Sequence, residues 1–94
     1  MEYNNDYFNR SLSDWLNRVQ TIINKERNAK VSICPSGRKY TKIVDNNGVF
    51  CFIDNSNGDV LMAASWRSPA KHARGNIYHI GQEGVNAYGA NYLK

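Results

Sequence analysis

A chain of 94 residues, 41% of them apolar and 21% charged, can bury one modest core but not two, so a single domain over residues 1–94 is expected. Six tyrosines and two tryptophans are at odds with a disordered chain, no apolar run approaches the roughly twenty residues a membrane-crossing helix needs, and the polar start Met-Glu-Tyr-Asn-Asn-Asp has neither the basic nor the apolar region of a secretory leader. Twelve Lys and Arg against eight Asp and Glu leave a net charge of +4, which favours anionic partners without naming one.

Residues 1–10 read as a polar and aromatic arm in which Tyr3, Tyr7 and Phe8 dock on the domain. Ser11 with Asp14 three residues on resembles a capping box and predicts a helix over 11–29. Within it Leu12, Trp15, Leu16, Val19, Ile22 and Ile23 recur at three- and four-residue steps, which puts them on one face, to be buried against a sheet. Lys25, Arg27 and Lys30 suit the negative end of the helix dipole and are read as capping and solubility charges.

A short strand over 31–34 is expected next, broken by the turn Pro35-Ser36-Gly37. A longer strand over 38–44 follows, with Tyr40, Lys42 and Val44 on one face and Thr41 and Ile43 on the other. Asp45-Asn46-Asn47-Gly48 is a hairpin turn. The run Val49 to Asp54 is apolar in both alternating sets, as a central strand covered on each side would be. Asn55-Ser56-Asn57-Gly58 turns the chain into a further strand over 60–64. These elements make an α+β fold in which the N-terminal amphipathic helix covers one face of an antiparallel meander. Phe50 and Phe52 leave the other face to be covered by the C-terminal segment, a second copy of the chain or a ligand.

After the third main strand, Ser68-Pro69 reads as a helix start and Gly75 as its stop, predicting a short second helix that carries Lys71, His72 and Arg74. Trp66 and Arg67 precede it and Asn76 follows. Amides at a helix start with cations around them suit a phosphate or carboxylate, so Trp66, Arg67, Ser68, Lys71, His72, Arg74 and Asn76 form the candidate ligand site. A second basic and aromatic set is Arg38, Lys39, Tyr40, Lys42 and Tyr78. The run 76–80 has the alternation of another short strand, and Tyr88, Tyr92 and Leu93 read as anchors of the tail.

The cysteines Cys34 and Cys51 lack C-x-x-C spacing and are expected as buried thiols; with His72 and His79 they show no metal-ligand spacing, and no metal or cofactor is called for. No nucleophile constellation, carboxylate pair or phosphate-cradling glycine loop is present, so a non-enzymatic protein is expected. His72 and His79 acting as base and acid of a metal-independent phosphodiesterase is the lesser reading. As a binding module the chain has two candidate ligands. With nucleic acid, Arg38, Lys39, Lys42, Arg67, Lys71 and Arg74 would track phosphates while Trp66, Tyr40 or Tyr78 stacks on a base. With a nucleotide, the capped turn takes the phosphate and Trp66 the ring, a pocket that a symmetric homodimer would complete.

The string Ala63-Ala64-Ser65-Trp66-Arg67, continued by Pro69-Ala70-Lys71-His72-Ala73-Arg74-Gly75-Asn76-Ile77, is the most specific in the chain. With Phe52-Ile53-Asp54, Gly58-Asp59-Val60, Tyr88-Gly89 and Tyr92-Leu93, it resembles a group of small uncharacterised proteins encoded by tailed bacteriophages. The likeness covers roughly residues 38–93, more than half of the chain. It implies a viral protein of shared fold acting in the cytoplasm of an infected bacterial host, and it implies no reaction. It adds a third kind of partner, a host defence protein blocked by direct binding or by sequestering a nucleotide signal.

Overall fold

The apolar stripe of the helix sets the architecture. In the computed structural model, which describes residues 6–34, 38–46 and 48–91, helix α1 (Asp6–Asn24) buries Phe8, Leu12, Trp15, Val19 and Ile23 along one side. The helix begins a turn earlier than the Ser11 cap predicts. Phe8 extends the stripe at the same spacing and is itself buried, and Asp6 places a carboxylate in the first turn, where the helix dipole favours it. Residues 6–10 are therefore helix and not arm, and the helix ends at Asn24 instead of near Ala29, its last turn closed by Glu26 and Arg27 amides donating to the Ile23 carbonyl. The predicted docking of Tyr3 lies outside the described residues.

Five strands follow as an antiparallel meander in the order β1 (Ser32–Cys34), β2 (Tyr40–Asp45), β3 (Gly48–Asp54), β4 (Asp59–Ala63) and β5 (Pro69–Asn76). The turn at 35–37, residue Asn47 and the tail residues Tyr92 and Leu93 lie outside the described residues. Pairing fixes which side chains share a face. Ile43 stands opposite Cys51, and Thr41, Ile53, Val60 and Gly75 form the neighbouring row. Ile43, Cys51, Ile53 and Val60 join the helix stripe in one core. The other face carries the row Cys34, Lys42, Phe52, Leu61 and Ala73, one residue from each strand, with Tyr40 opposite Asp54 beside it.

Phe50 departs from simple alternation. Ile43 pairs with Cys51 but Val44 with Val49, so Phe50 is the extra residue of a bulge and turns into the helix-side core. A short hairpin, β6 (Val85–Asn86) and β7 (Gly89–Ala90), closes that core beside the helix with Val85, Ala87 and Ala90. The sequence allowed several covers for Phe50 and Phe52; the C-terminal hairpin serves for Phe50, while Phe52 is buried on the far face with Tyr40 edge-on at 6.2 Å.

The predicted second helix does not form, and this is the main correction to the sequence reading. Residues 69–76 are β5, an edge strand paired with β4. Proline is tolerated there because the first residue of an edge strand need not donate to the ladder. Gly75 is no helix stop: a Cβ there would run into the Gln82 carbonyl and lie 2.6 Å from the Gly84 nitrogen, so glycine lets the 82–84 loop cross β5 in backbone contact. The strand expected over 76–80 is instead the turn after β5, tied by Ile77 N–H donating to the Gly58 carbonyl and Gln82 N–H to that of His79.

Cys51 is fully buried on the helix side of β3, and burial holds its thiol protonated by pushing its pKa well up. Cys34 is only half-buried, not buried as expected, because it lies on edge strand β1; two strands away and in the row of the opposite face, it does not pair with Cys51 and both are free thiols.

Candidate functional site

The loop between β4 and β5 is built around Ser65. Its Oγ accepts the amides of Arg67 and Ser68 at 3.2 Å each and lies 3.1 Å from the Ser68 hydroxyl, while the Ser68 carbonyl accepts the amides of Ala64 and Ser65. Short hydroxyl side chains hold turns this way. Ser68 is thus a turn-closing residue, not a helix cap, and the role of Ser65 was hidden because Ser65-Trp66-Arg67-Ser68-Pro69 reads equally as a turn and as a cap.

The closed loop presents Trp66 and Arg67. Trp66 is 54% exposed and its ring lies over the Lys42 ammonium, with Nζ 3.9 Å from the ring centroid. Lys42 is only 8% exposed, its stem held in the row between Cys34 and Phe52. A lysine can lie this deep when its methylenes pack on apolar neighbours and its charge meets an aromatic face, a contact of about 0.5–2 kcal/mol. At the start of β2, the Lys39 ammonium lies 5.5 Å from the Tyr40 ring centroid, and Arg38 beside it is exposed. Lys71 is exposed on β5. Trp66 over buried Lys42, and Tyr40 edge-on to buried Phe52, thus mark the sheet face away from the helix, with the exposed Arg38, Lys39, Arg67 and Lys71 on its flanking segments. Asp54 is the acid in its Tyr40 row, and its Oδ1 is engaged by the amide and hydroxyl of Ser56.

The rest of the sequence-derived set does other work. Arg74 donates from Nη1 to the Asn91 carbonyl at 2.8 Å and from Nε to the His72 carbonyl at 3.0 Å, with Met62 Sδ at 3.6 Å; it braces the C-terminal segment on the helix side. Asn76 ties the turn before β4 to β5, donating to the Asn57 carbonyl and Asp59 Oδ1 and accepting the Tyr78 amide. Tyr78 stacks on Tyr7 with centroids 5.1 Å apart and packs against the helix-side core. His72 and His79 are exposed on β5 and in the turn after it. Lys71 and Arg74 therefore do not share a capped anion cradle, and no helix amides are available there.

The charges of the helix segment are fastened within the fold. Arg18 pairs with Glu83 at 2.8 Å, and Arg27 with Asp45 at 2.6 Å while donating to the Ala87 carbonyl. Arg27 is thus structural, not a solubility charge. Among the described residues no group of three or more His, Cys, Asp or Glu is placed to hold a metal ion, and no helix is long and apolar enough to cross a membrane.

The architecture defines a small α+β class in which one helix covers a five-stranded meander whose other face carries aromatic and basic side chains. Within that class, the chain belongs to a family of unknown function, DUF7717, whose family model matches residues 2–92. No curated protein and no solved structure matches the chain.

Proposed function

We propose that this is a non-enzymatic protein that binds phosphate-bearing ligands, nucleic acid or nucleotide, on the sheet face opposite α1. The observation that carries the reading is the exposed Trp66 ring held over the buried Lys42 ammonium by a hydroxyl-locked loop. One side of the indole is taken by the cation, which leaves the other for a base. Arg67, Lys71, Arg38 and Lys39 supply exposed cations for phosphate oxygens, in contrast to Arg18 and Arg27, which are committed to internal carboxylates. The net charge of +4 supports the same class of partner. In the phage setting that the sequence resemblance implies, the ligand would be met in the cytoplasm of an infected bacterium.

The test is binding of labelled single-stranded DNA, RNA and a nucleotide panel to wild type, to Arg67→Ala with Lys71→Ala, and to Arg74→Ala. Loss of binding in the double variant, with folding intact by circular dichroism, is expected. Equal affinity in wild type and double variant removes this face from the mechanism.

A further inference from the structure

We infer that the ligand of this face is a single-stranded polynucleotide, not a free nucleotide and not a duplex. The inference rests on the phosphate-binding reading above and narrows it by shape. A nucleotide site is concave, enclosing base and phosphate together. Two clefts formed by described residues lie elsewhere. One of about 560 Å3 opens among Glu26, Phe50, Met62, Ala87 and Tyr88 at the β6–β7 hairpin, and another among Gln20, Asn24, Asn28, Lys30 and Asn46 near the helix exit. Neither is lined by Trp66, Lys42, Tyr40 or any of the cations around them.

The basic and aromatic face lies over a row whose middle members Lys42, Phe52 and Leu61 are buried, with Trp66, Arg38, Lys39, Arg67 and Lys71 exposed around it. From β2 to β5, the strands that bound its cations, three spacings of roughly 4.8 Å span about 14 Å. Its cations come from three separate places: the start of β2, the β4–β5 loop and β5. Charges spread over such a width meet successive phosphates of one chain, where a mononucleotide would reach only a few of them. Trp66 decides between single strand and duplex. A base offers its ring face to a side chain only when it is not stacked on both sides, and Trp66 has an open ring face on a raised loop next to an exposed arginine. Duplex recognition calls instead for a helix or ribbon in a groove, and the single helix here is packed by its apolar stripe on the opposite side of the sheet.

Fluorescence provides the test, because Trp15 is fully buried and Trp66 is the exposed tryptophan. A strand of about 12 nucleotides, within the usual range of a single-strand site, is titrated beside a blunt duplex of the same sequence and the matching mononucleotides. The single strand is expected to quench Trp66 emission and to bind at least tenfold more tightly than either competitor. Its affinity should fall with salt at a log–log slope of about −2 to −3.5, as three to five phosphate contacts at about −0.7 each require.

Trp66→Ala should lower affinity by about 5- to 150-fold, one stacked base, with the slope unchanged. Arg67→Ala should instead reduce the slope by about 0.7, and Trp66→Phe should restore part of the stacking. Lys25→Ala, on the exposed side of the helix exit, is the control and should bind as wild type does. Mononucleotide or duplex binding as tight as the single strand overturns this inference and leaves the phosphate-binding face standing. Failure of all three probes to bind overturns both.

Discussion

Gly75 shows how much one missing methyl group decides. It lies on β5 where the 82–84 loop crosses, and the contacts around it are backbone atoms of Gln82 and Gly84, which cannot rotate away as a side chain could. Gly84 is the reciprocal case: its φ of 77° is one that side-chain-bearing residues rarely adopt, and a Cβ there would meet the Gly75 nitrogen at 2.6 Å. Gly75→Ala must therefore push the loop off the strand and strain the Asn76 N–H to Gln82 carbonyl bond beside it. A loss of about 1–3 kcal/mol is expected, or more if the loop detaches, measured by urea unfolding. Retention of wild-type stability would mean that the loop yields at no cost and that the close approach does not require glycine. Trp66 is the opposite kind of residue. It is half in solvent and touches the fold chiefly through Lys42, so its truncation is expected to cost the fold little and the ligand much.

At the scale of elements, Arg27 fastens three parts that share no strand ladder. From the helix exit it reaches Asp45 at the end of β2, the Ala87 carbonyl in the β6–β7 hairpin and the Tyr88 ring at 5.0 Å. The Asp45 side chain is only 7% exposed, so removing the guanidinium takes away a cationic partner where little water can replace it. Arg27→Ala is expected to destabilise by about 3–5 kcal/mol, and Arg27→Lys to recover only part of it, because an ammonium cannot address the carboxylate and the carbonyl from one planar fork. Thermal melts of the two variants check this; an alanine variant as stable as wild type would show that the pair contributes nothing net.

The same elements show what the sequence could and could not disclose. Helix periodicity and the Asn- and Gly-rich turns are local signals, and from them α1 and the β2–β3–β4 meander were legible to within a few residues. The identity of β5 was not, since Ser-Pro and a later Gly carry the local signature of helix caps, and only pairing with β4 and the crossing loop select a strand. Lys42 and Trp66 were both legible as members of a basic and aromatic set. Their contact was not, because it depends on a loop folding back over a strand more than twenty residues earlier. Arg74 and Asn76 looked like ligand groups for the complementary reason: the carbonyls they satisfy, at Asn91, His72 and Asn57, leave no mark in a sequence.

For the molecule as a whole, charge sets how folding depends on pH. At neutral pH the chain carries +4, and every carboxylate protonated on acidification adds to that excess, so self-repulsion grows as pH falls. Glu83 links this to the architecture. Its carboxylate joins the C-terminal loop to α1 through Arg18 and accepts the Gly81 amide, while its carbonyl accepts the Trp15 indole N–H at 3.1 Å. Burial pushes its pKa up, but the Gly81 amide, the Arg18 hydrogen bond and charge, and its own amide outweigh that and hold it below the ordinary glutamate range. A carboxylate with a depressed folded-state pKa stabilises fully above its unfolded value, and the contribution disappears as pH drops through the folded one. Glu83→Gln keeps the shape of the side chain without its charge. It should lower stability by about 1–3 kcal/mol at pH 7, and the gap to wild type should narrow as pH falls below the ordinary glutamate range and the native carboxylate takes up its proton. Denaturant unfolding of both proteins through that fall in pH reads the linkage directly, and a gap that stays constant throughout would show that the Arg18–Glu83 contact acts through shape and hydrogen bonding alone, with no dependence on the charge of Glu83.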